Sequence, residues 1–322
     1  MKRRYIFARE EQPDAAWGAR FTAGRVEAEH WYRQRCTDPP GAATCRAALA
    51  RHMPELIASY NRACDLVGND DVAHCILSHY RPPPLIAGCT RRCGSARTGR
   101  PWCATMIIHS RLCPFESTAW FGREVIAKAQ RPWGGIYDGM NADGLAASMT
   151  FGGSPAQGQG FSIILMMRYV LETCSRVDEA AEAFCRIPIA QAQNVTLLDR
   201  TGAYATLFLG PDRPPAVTQQ RACANHQEKI VWPEHAARWR TVERERIALA
   251  ALADPDMTLA DLTARFLEPT VYSRNAASPT VYTAVYRPAE GRIDYLWPGK
   301  TITQHMGAFA EGAYTHDYGQ LR

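Results

Sequence analysis

A cysteine that directly follows a glycine, Cys89 after Gly88, is the residue of this chain best suited to nucleophilic chemistry. If the Gly88–Cys89 peptide bond is cut, the thiol can attack carbonyl carbons while the new α-amine of the same residue, with a pKa of roughly 8, accepts the proton. Such a nucleophile needs no histidine partner. The Gly88-Cys89 dipeptide alone does not establish this chemistry, because a buried cysteine is more often a small apolar core residue.

The elements before Cys89 are predicted to be helical. Residues 43–60 and 71–80 carry apolar side chains at spacings of three and four. Three prolines at 82–84 end this region, because proline lacks an N–H donor and restricts the residue before it. A helical leader with an extended approach to Gly88 is what a propeptide would look like. We therefore predict a helical N-terminal region over 1–88 and a second domain over 89–322.

After Cys89 the pattern indicates strands interrupted by helices. A strand over 144–151 follows the Asp143-Gly144 turn, and hairpins are predicted over 194–209 and 280–297. The predicted helices are 160–173, 177–187, 236–252 and 259–266. This order is compatible with a layered α+β sandwich of antiparallel sheets.

The composition indicates a globular protein with an ample core. The chain has 322 residues, of which 46% are hydrophobic and 21% charged, so we expect one or two domains. No apolar run approaches the roughly 20 residues of a membrane span, and the apolar patch near Met1 is too short for a signal peptide. The eleven cysteines form no Cys-x-x-Cys pair, which suits reduced thiols. We expect a cytoplasmic protein without a membrane partner.

The net charge of +5 has a local origin. No acidic residue occurs between Val72 and Phe115, whereas six arginines fall there. Nucleic-acid surfaces usually interleave basic residues with aromatics, and Trp102 is the single aromatic residue among the later arginines. We therefore expect no nucleic-acid partner.

Motifs along most of the chain resemble those of the acyl-coenzyme A:6-aminopenicillanic acid acyltransferase family of self-cleaving N-terminal-nucleophile enzymes. The matching segments, in family order, are 52–56, 82–90, 133–153, 168–174, 194–199, 225–227, 282–288 and 297–299. The resemblance implies a four-layer αββα sandwich. It also implies self-cleavage between Gly88 and Cys89, and a thioester on Cys89 formed from small N-acyl amides.

The resemblance assigns roles to further polar residues. Asn141, in Met140-Asn141-Ala142-Asp143-Gly144, matches the family's oxyanion donor, and Asn194 matches a second asparagine that holds the terminal amine or donates to the tetrahedral intermediate. Asn225 and His226 match a motif with a supporting role. Each has a structural alternative: Asn141 as a turn residue, Asn194 as a strand-entry residue and His226 as a structural histidine.

The chain departs from the family on the strand after the nucleophile. The family has an Arg-Asn-Tyr-Asp motif there, whose arginine lowers the thiol pKa and whose aspartate orders the terminal amine. This chain has Ala104, Thr105, Met106 and Ile107, which supply no charge. For the glycine- and arginine-rich residues 91–100 we predict a disordered or badly packed loop.

The genetic code suggests a hypothesis for this departure, namely that residues 91–108 are read out of frame. Codons rebuilt from the third base of one residue and the first two of the next allow Val-Arg-Asn-Tyr-Asp over 102–107, and the aspartate is forced, since Met106 into Ile107 gives GAT. Two compensating single-base shifts would suffice. The alternative is a naturally diverged loop whose arginines bind coenzyme A phosphates, and the gene's nucleotides decide between the two.

Two functions from different classes remain at this stage. The first is an N-terminal cysteine amidohydrolase or acyltransferase that needs no cofactor, for which a coenzyme A thioester is an alternative acyl donor. The second is a catalytically impaired relative that stays an uncleaved precursor or a binding protein. The residues Cys93, Cys103, His109 and Cys113 fit no zinc-site spacing, so no metal is expected. A homo-oligomer is compatible with either function.

Overall fold

A computed structural model gives the structure of the chain. It describes residues 2–36, 38–84, 88–95, 101–108, 114–130, 134–268, 271–274 and 279–319, and for 88–95 and 101–108 it describes the backbone. Residues 85–87, which belong to the predicted extended approach to Gly88, lie outside this description.

The described residues alternate between strands and helices in the following order: β1 (Lys2–Glu10), α1 (Ala15–Arg35), α2 (Ala42–His52), α3 (Ile57–Leu66), α4 (Asp71–Ser78), β2 (Gly88–Ser95), β3 (Pro101–Ile108), β4 (Phe115–Thr118), β5 (Val125–Gln130), β6 (Gly135–Asn141), β7 (Ala146–Phe151), α5 (Ile163–Thr173), α6 (Val177–Arg186), β8 (Gln193–Leu198), β9 (Tyr204–Leu209), β10 (Ala216–Thr218), β11 (Ala222–Cys223), α7 (Pro233–Arg238), α8 (Thr241–Ala253), α9 (Leu259–Phe266), β12 (Thr280–Arg287), β13 (Arg292–Trp297), β14 (Lys300–His305) and β15 (Gly312–Asp317).

The strands form two sheets. One sheet has nine strands in the order β10-β9-β8-β7-β6-β5-β4-β1-β15, and the other has six in the order β11-β2-β3-β12-β13-β14. All described strand pairs are antiparallel except β1 with β4. The strand that carries Cys89 therefore lies near the edge of the smaller sheet, between β11 and β3.

Strand alternation divides the apolar side chains among three cores. The first joins the helices α1–α6 to one face of the nine-stranded sheet, with Trp17, Met166 and Val195 among its members. The second fills the space between the sheets with aromatic rings such as Phe115 and Tyr282. The third packs α8 and α9 on the outer face of the six-stranded sheet. These layers confirm the predicted four-layer αββα sandwich.

The N-terminal region is part of this sandwich. Its predicted helices are present as α2–α4, and α1 precedes them. The chain begins, however, with strand β1, which pairs with β4 and β15 inside the larger sheet. The predicted boundary at residue 88 therefore falls between segments that share one sheet.

The prediction of a disordered or badly packed loop over 91–100 is wrong for residues 91–95. Residues 91–95 belong to β2 and pair with β3 from Arg91↔Thr105 to Ser95↔Pro101, while 96–100 lie outside the described residues. The pairing of β2 between two neighbours outweighs its poor intrinsic strand propensity, because β propensity depends strongly on context. In the described parts of the chain, no helix has the length and apolar character needed to cross a membrane.

Candidate active site

The smaller sheet places the predicted nucleophile on a strand with a neighbour on each side. Cys89 on β2 pairs with Ile107 on β3. On the other side of β2, Cys223 pairs with Arg91 in an antiparallel ladder, and β11 ends at Cys223, two residues before Asn225. The Asn225 motif residue therefore follows directly after the strand that lies beside β2.

The segment after β11 is held in place by polar groups of the larger sheet. The Ala224 carbonyl accepts hydrogen bonds from Asn194 Nδ2 at 2.9 Å and from the Thr150 hydroxyl at 3.1 Å. Asn194 Nδ2 also donates to the His226 carbonyl at 2.9 Å. The Asn194 and Thr150 side chains are fully buried. Asn194 therefore fixes the backbone on either side of Asn225.

Helix α8 holds the same segment from the opposite direction. Arg244 donates to the Asn225 side-chain oxygen at 2.7 Å. His226 is 2.7 Å from the Thr241 hydroxyl through Nδ1 and 3.3 Å from Glu245 through Nε2. The other Glu245 oxygen accepts from the Ala224 N–H at 3.1 Å. His226 thus bridges the segment to the helix, which agrees with a structural role.

Two glycines after β7 allow this close packing. A Cβ atom on Gly153 would lie 2.7 Å from the Asn225 carbonyl oxygen, and one on Gly152 would lie 2.8 Å from the Gln227 amide nitrogen. Gly153 also has a φ of +75°, a conformation that side chains disfavour. Any larger residue here would displace the segment that carries Asn225.

The larger sheet presents a polar face toward the smaller sheet near β2 and β11. The Thr196 hydroxyl of β8 lies 3.6 Å from the Cys223 sulfur of β11, so the two sheets meet at this point. The buried polar residues on this face are Ser148, Thr150, Asn194, Thr196 and Thr206. Their strand neighbours Val195 and Leu197 face the helices instead, as strand alternation requires.

Two polar atoms on this face have no hydrogen-bond partner among the described residues. They are the Ser148 hydroxyl and the Asn194 side-chain oxygen, and both residues are at most 1% exposed. Buried polar atoms are rarely left unpaired, so each such atom in a structure calls for an explanation. Both residues lie on the face of the larger sheet from which Thr196 contacts Cys223.

A buried charged group occupies the same layer. Tyr282 donates to Asp138 at 2.6 Å, and Lys128 lies across from Asp138 in the β5–β6 register. The Lys128 ammonium is 4.5 Å from the centre of the Phe115 ring. Burial and the Asp138 charge hold the pKa of Tyr282 well above its usual value. Tyr282 pairs with Ile107, so this group lies two strands from Cys89.

The sequence carries a signal for this group that motif matching does not detect. Lys128 and Asp138 are ionisable residues inside short segments that are otherwise apolar or small, and buried charges are usually paired. Thr150, Arg244 and Glu245 carried no such signal. Their part in the site depends on where β7 and α8 run in the folded chain.

Asn141 lies elsewhere, on the helix side of β6. Its amide donates to the carbonyls of Leu171 and Cys174 at 2.8 and 2.7 Å. Its side-chain oxygen accepts from the N–H groups of Asp143 and Leu145 at 3.1 and 2.9 Å. Both amide hydrogens are therefore used to join the β6–β7 turn to the end of α5. This geometry is that of a turn residue, and the oxyanion role stays a prediction.

The two predicted asparagines are also far apart along the sheet. Asn194 pairs with Thr150 at the end of β7, whereas Asn141 precedes the start of that strand. About five residues of strand separate the two positions, which corresponds to roughly 17 Å. The structure thus brings Asn194, Asn225 and His226 together just after β11, the neighbour of β2, and leaves Asn141 outside this group.

Comparison with known proteins places the chain in a family. The family model of acyl-coenzyme A:6-aminopenicillanic acid acyltransferase matches residues 105–301, which is more than half of the chain. The chain belongs to this acyltransferase family. The match covers Asn194, Asn225 and α8, while Gly88 and Cys89 lie before it. No curated protein matches the chain in sequence.

Solved structures show the same fold. A mutant of conjugated bile acid hydrolase from Clostridium perfringens has a TM-score of 0.53 at 10% identity, covering 72% of this chain and 97% of that one. Penicillin V acylase from Agrobacterium tumefaciens has a TM-score of 0.47 at 14% identity, covering 68% of this chain and 86% of that one. The first of these shows that this acyltransferase-family chain has the N-terminal-nucleophile hydrolase fold.

Within this family member, β3 lacks charge at the positions nearest the nucleophile strand. Ala104 pairs with Arg92, and Ile107 pairs with Cys89. Neither residue type can lower a thiol pKa or anchor an amine. Among the described residues, no group of three or more His, Cys, Asp or Glu side chains is arranged to hold a metal ion.

Proposed function

We propose that this family member is built around an N-terminal cysteine nucleophile that acts on small N-acyl amides. Cleavage of its own Gly88–Cys89 bond would free the α-amine of Cys89. The observation that supports the proposal is the pairing of β2 with β11, because Asn225 follows two residues after the Arg91–Cys223 pair and lies beside the buried face with the Ser148 and Asn194 oxygens that have no partner among the described residues. The family match supports amide or acyl transfer chemistry of this kind.

In the proposed reaction the Cys89 sulfur attacks the acyl carbon of the amide while its α-amine takes the thiol proton. The carbonyl oxygen becomes an oxyanion, for which the Asn225 amide is the donor on the neighbouring segment. A donor aimed at such an oxyanion contributes about 3–4 kcal/mol to the barrier reduction. The C–N bond then breaks, the leaving amine takes the proton, and a thioester remains on Cys89.

The Asn194 side-chain oxygen has a separate role in this proposal. It accepts no hydrogen bond from a described residue, although it is buried beside the Asn225 segment. An ammonium group supplies three donors, so the freed α-amine of Cys89 would satisfy this oxygen. Asn194 would then orient the amine that serves as the proton acceptor.

Water or a second amine would complete the reaction by attacking the thioester. Water gives hydrolysis, and an amine gives acyl transfer. The proposal needs no cofactor, and a coenzyme A thioester would enter as an acyl donor in place of the amide.

The uncharged residues of β3 favour a second candidate function. Because Ile107 occupies the position paired with Cys89, no carboxylate from that strand position can order the amine. Because Ala104 stands three residues earlier, no guanidinium from there can stabilise the thiolate. The chain as written would then be a catalytically impaired relative that remains an uncleaved precursor.

A denaturing gel of the purified chain separates the two candidates. Fragments of 1–88 and 89–322, with Cys89 labelled by a thiol-directed acyl probe, support the enzyme. A single uncut band that is not labelled by the probe supports the impaired relative. The matched control is Cys89→Ala, which should be uncut and unlabelled in either case, while Cys185→Ala should behave as the unmodified chain does.

A further inference from the structure

Two cysteines of the N-terminal helices form a close pair that the proposed reaction does not use. Cys45 on α2 and Cys75 on α4 have their sulfur atoms 4.0 Å apart, and both residues are buried. The Pro40 carbonyl oxygen lies 2.6 Å from the Cys75 sulfur and 3.9 Å from the Cys45 sulfur. The pair is a free dithiol in this structure.

Two other described cysteines have contacts of a different kind. Cys64 is 3.4 Å from a ring nitrogen of His74, and Cys174 is 3.7 Å from the Thr173 hydroxyl. Cys185 is more exposed than either member of the pair, and burial raises its pKa. The contact between two sulfur atoms therefore distinguishes Cys45 and Cys75 from Cys64 and Cys174.

The surroundings of the pair shift the pKa values of its two thiols in opposite directions. Hydrogen bonds from Cys45 and from Tyr32 lower the pKa of Cys75 to about 7, although burial acts in the opposite direction. Donation to Cys75 and burial raise the pKa of Cys45. The Cys75 thiol donates to the Pro40 carbonyl, and this contact favours the protonated form of Cys75. Cys75 is the sulfur of this pair that ionises first.

Cys75 can also be reached by a small molecule. A cavity of about 450 Å³ is lined by Cys75 together with Tyr32, Arg33, Cys36, Pro40 and Asp71. Cys45 is fully buried and does not line this cavity. An oxidant the size of hydrogen peroxide would therefore reach Cys75 before Cys45.

We propose that Cys75 is a site of thiol oxidation by hydroperoxides and that Cys45 resolves it to a disulfide. The Cys75 thiolate attacks one peroxide oxygen, the O–O bond breaks, and Cys75 becomes a sulfenic acid while hydroxide leaves and takes up a proton as water. The Cys45 sulfur then attacks the Cys75 sulfur and gives up its proton. The S–S bond forms as the S–O bond breaks, and a second water leaves.

The sulfur atoms must approach by about 2 Å to reach a disulfide distance. Side-chain rotation of the two cysteines, with a small shift between α2 and α4, supplies such a movement. The resulting bond would link two helices of the N-terminal region, and a dithiol reductant would reverse it. This modification is independent of the proposed Cys89 chemistry.

Treatment of the full chain with hydrogen peroxide, followed by alkylation of the remaining thiols and peptide mass spectrometry, tests the proposal. We expect a Cys45–Cys75 cross-link that dithiothreitol removes. Cys45→Ser should abolish the cross-link and leave Cys75 as a sulfenic acid that dimedone traps. Cys75→Ser should abolish both products, and Cys64→Ser should change neither.

Two outcomes would overturn the proposal. In the first, Cys75 remains reduced while Cys185 is oxidised, and in the second, Cys75 forms a disulfide with Cys36 instead of Cys45. The central measurement uses the unmodified protein, so a variant that folds poorly does not decide the result. Cys45→Ala and Cys75→Ala, which leave no polar hydroxyl in the core, provide the second set of variants.

Discussion

Cys89 on β2 and Ile107 on β3 are direct partners in the antiparallel ladder of the smaller sheet. An aliphatic residue therefore stands beside the predicted nucleophile, at the place where the out-of-frame hypothesis puts a forced aspartate codon. The Asn225 segment on the other side of Cys89 has its polar contacts in place. The candidate site thus has its polar contacts on the β11 side and no charged residue on the β3 side.

The first prediction is that restoring the two charges starts self-cleavage. The double variant Ala104→Arg with Ile107→Asp supplies the guanidinium that lowers a thiol pKa and the carboxylate that orders the amine. We expect fragments of 1–88 and 89–322 on a denaturing gel, with mass spectrometry showing Cys89 as the new first residue.

A shifted variant provides the matched control for this experiment. Ala104→Arg with Met106→Asp has the same charges, but position 106 pairs with Thr90, so its carboxylate lies on the opposite face of β3 from the position that pairs with Cys89. It should stay uncut. If the restored variant also stays intact while Cys89 reacts with an alkylating agent, the assignment of the nucleophile is contradicted.

The second prediction concerns Asn141, which we expect to stabilise the fold and not to take part in catalysis. Asn141→Ala removes four hydrogen bonds and leaves the Leu171 and Cys174 carbonyls without their Asn141 donor. Each buried group left unsatisfied costs about 1–3 kcal/mol, so the free energy of unfolding should fall by about 3 kcal/mol or more. Urea-induced unfolding measures the change.

A neighbouring exposed residue supplies the comparison. Asp143→Ala, in the same turn, removes an exposed ion pair with Arg123 and should cost less than about 1 kcal/mol. An Asn141→Ala chain that unfolds at the same urea concentration as the unmodified chain would contradict the structural role. Loss of Cys89 acylation in a fully folded Asn141→Ala chain would restore the oxyanion role.

Local signals in the sequence predicted much of the fold. The hairpins over 194–209 and 280–297 were found from their turn residues, and they are present as β8–β9 and β12–β13. Strand β1 was not predicted, because its residues Lys2–Glu10 are mainly charged at the start and its partners lie more than a hundred residues away in β4 and β15. Long-range pairing of this kind leaves no local pattern.

The site was predictable only in part for a similar reason. Motif matching selected Asn194 and Asn225, which the fold brings together, and also Asn141, which it does not. Sequence position alone does not show which face of a strand a residue occupies, since one residue of offset reverses the face. Arg244 and Glu245 were missed because their contacts depend on the path of α8.

The third prediction tests whether β1 is an integral part of the sandwich. Phe7 is 4% exposed and stacks on Phe115 at 4.9 Å between ring centres, whereas Ile6 is 44% exposed. Phe7→Ala should lower the free energy of unfolding by about 3–5 kcal/mol. Ile6→Ala, the adjacent position on the opposite face, should change it by less than about 1 kcal/mol.

The same strand bears on the fate of the N-terminal region. Because β1 lies between β4 and β15, we expect residues 1–88 to remain bound to 89–322 after any cleavage at Gly88. Size-exclusion chromatography of a cleaved sample should give one peak that separates into two bands only under denaturing conditions. Two native peaks, or equal effects of Phe7→Ala and Ile6→Ala, would contradict this placement of β1.

The fourth prediction is a pH dependence of stability that originates at His235. This residue is 5% exposed, lies against the rings of Phe151 and Trp232 at 4.9 and 5.1 Å, and has no hydrogen-bond partner on either ring nitrogen among the described residues. Burial, with smaller contributions from the charges of Arg244 and Arg238, lowers its pKa to about 4.

A lowered histidine pKa means that the unfolded chain binds a proton at higher pH than the folded chain does. The contribution of neutral His235 is therefore fully present above the unfolded pKa near 6.5 and is lost as the pH falls toward about 4. Between about pH 7 and about pH 5 this loss amounts to about 2 kcal/mol. The variant His235→Phe keeps the ring contacts and removes the titrating nitrogens.

Urea-induced unfolding of both proteins at the two pH values separates the effect of His235 on stability from the effect of the carboxylates, because the two proteins have the same carboxylates. The unmodified chain should lose about 2 kcal/mol more than His235→Phe on going from about pH 7 to about pH 5. Equal losses in the two proteins would show that His235 gains a proton as readily in the folded chain as in the unfolded one. In that case the aromatic surroundings of His235 would have to be more open to water than its burial indicates.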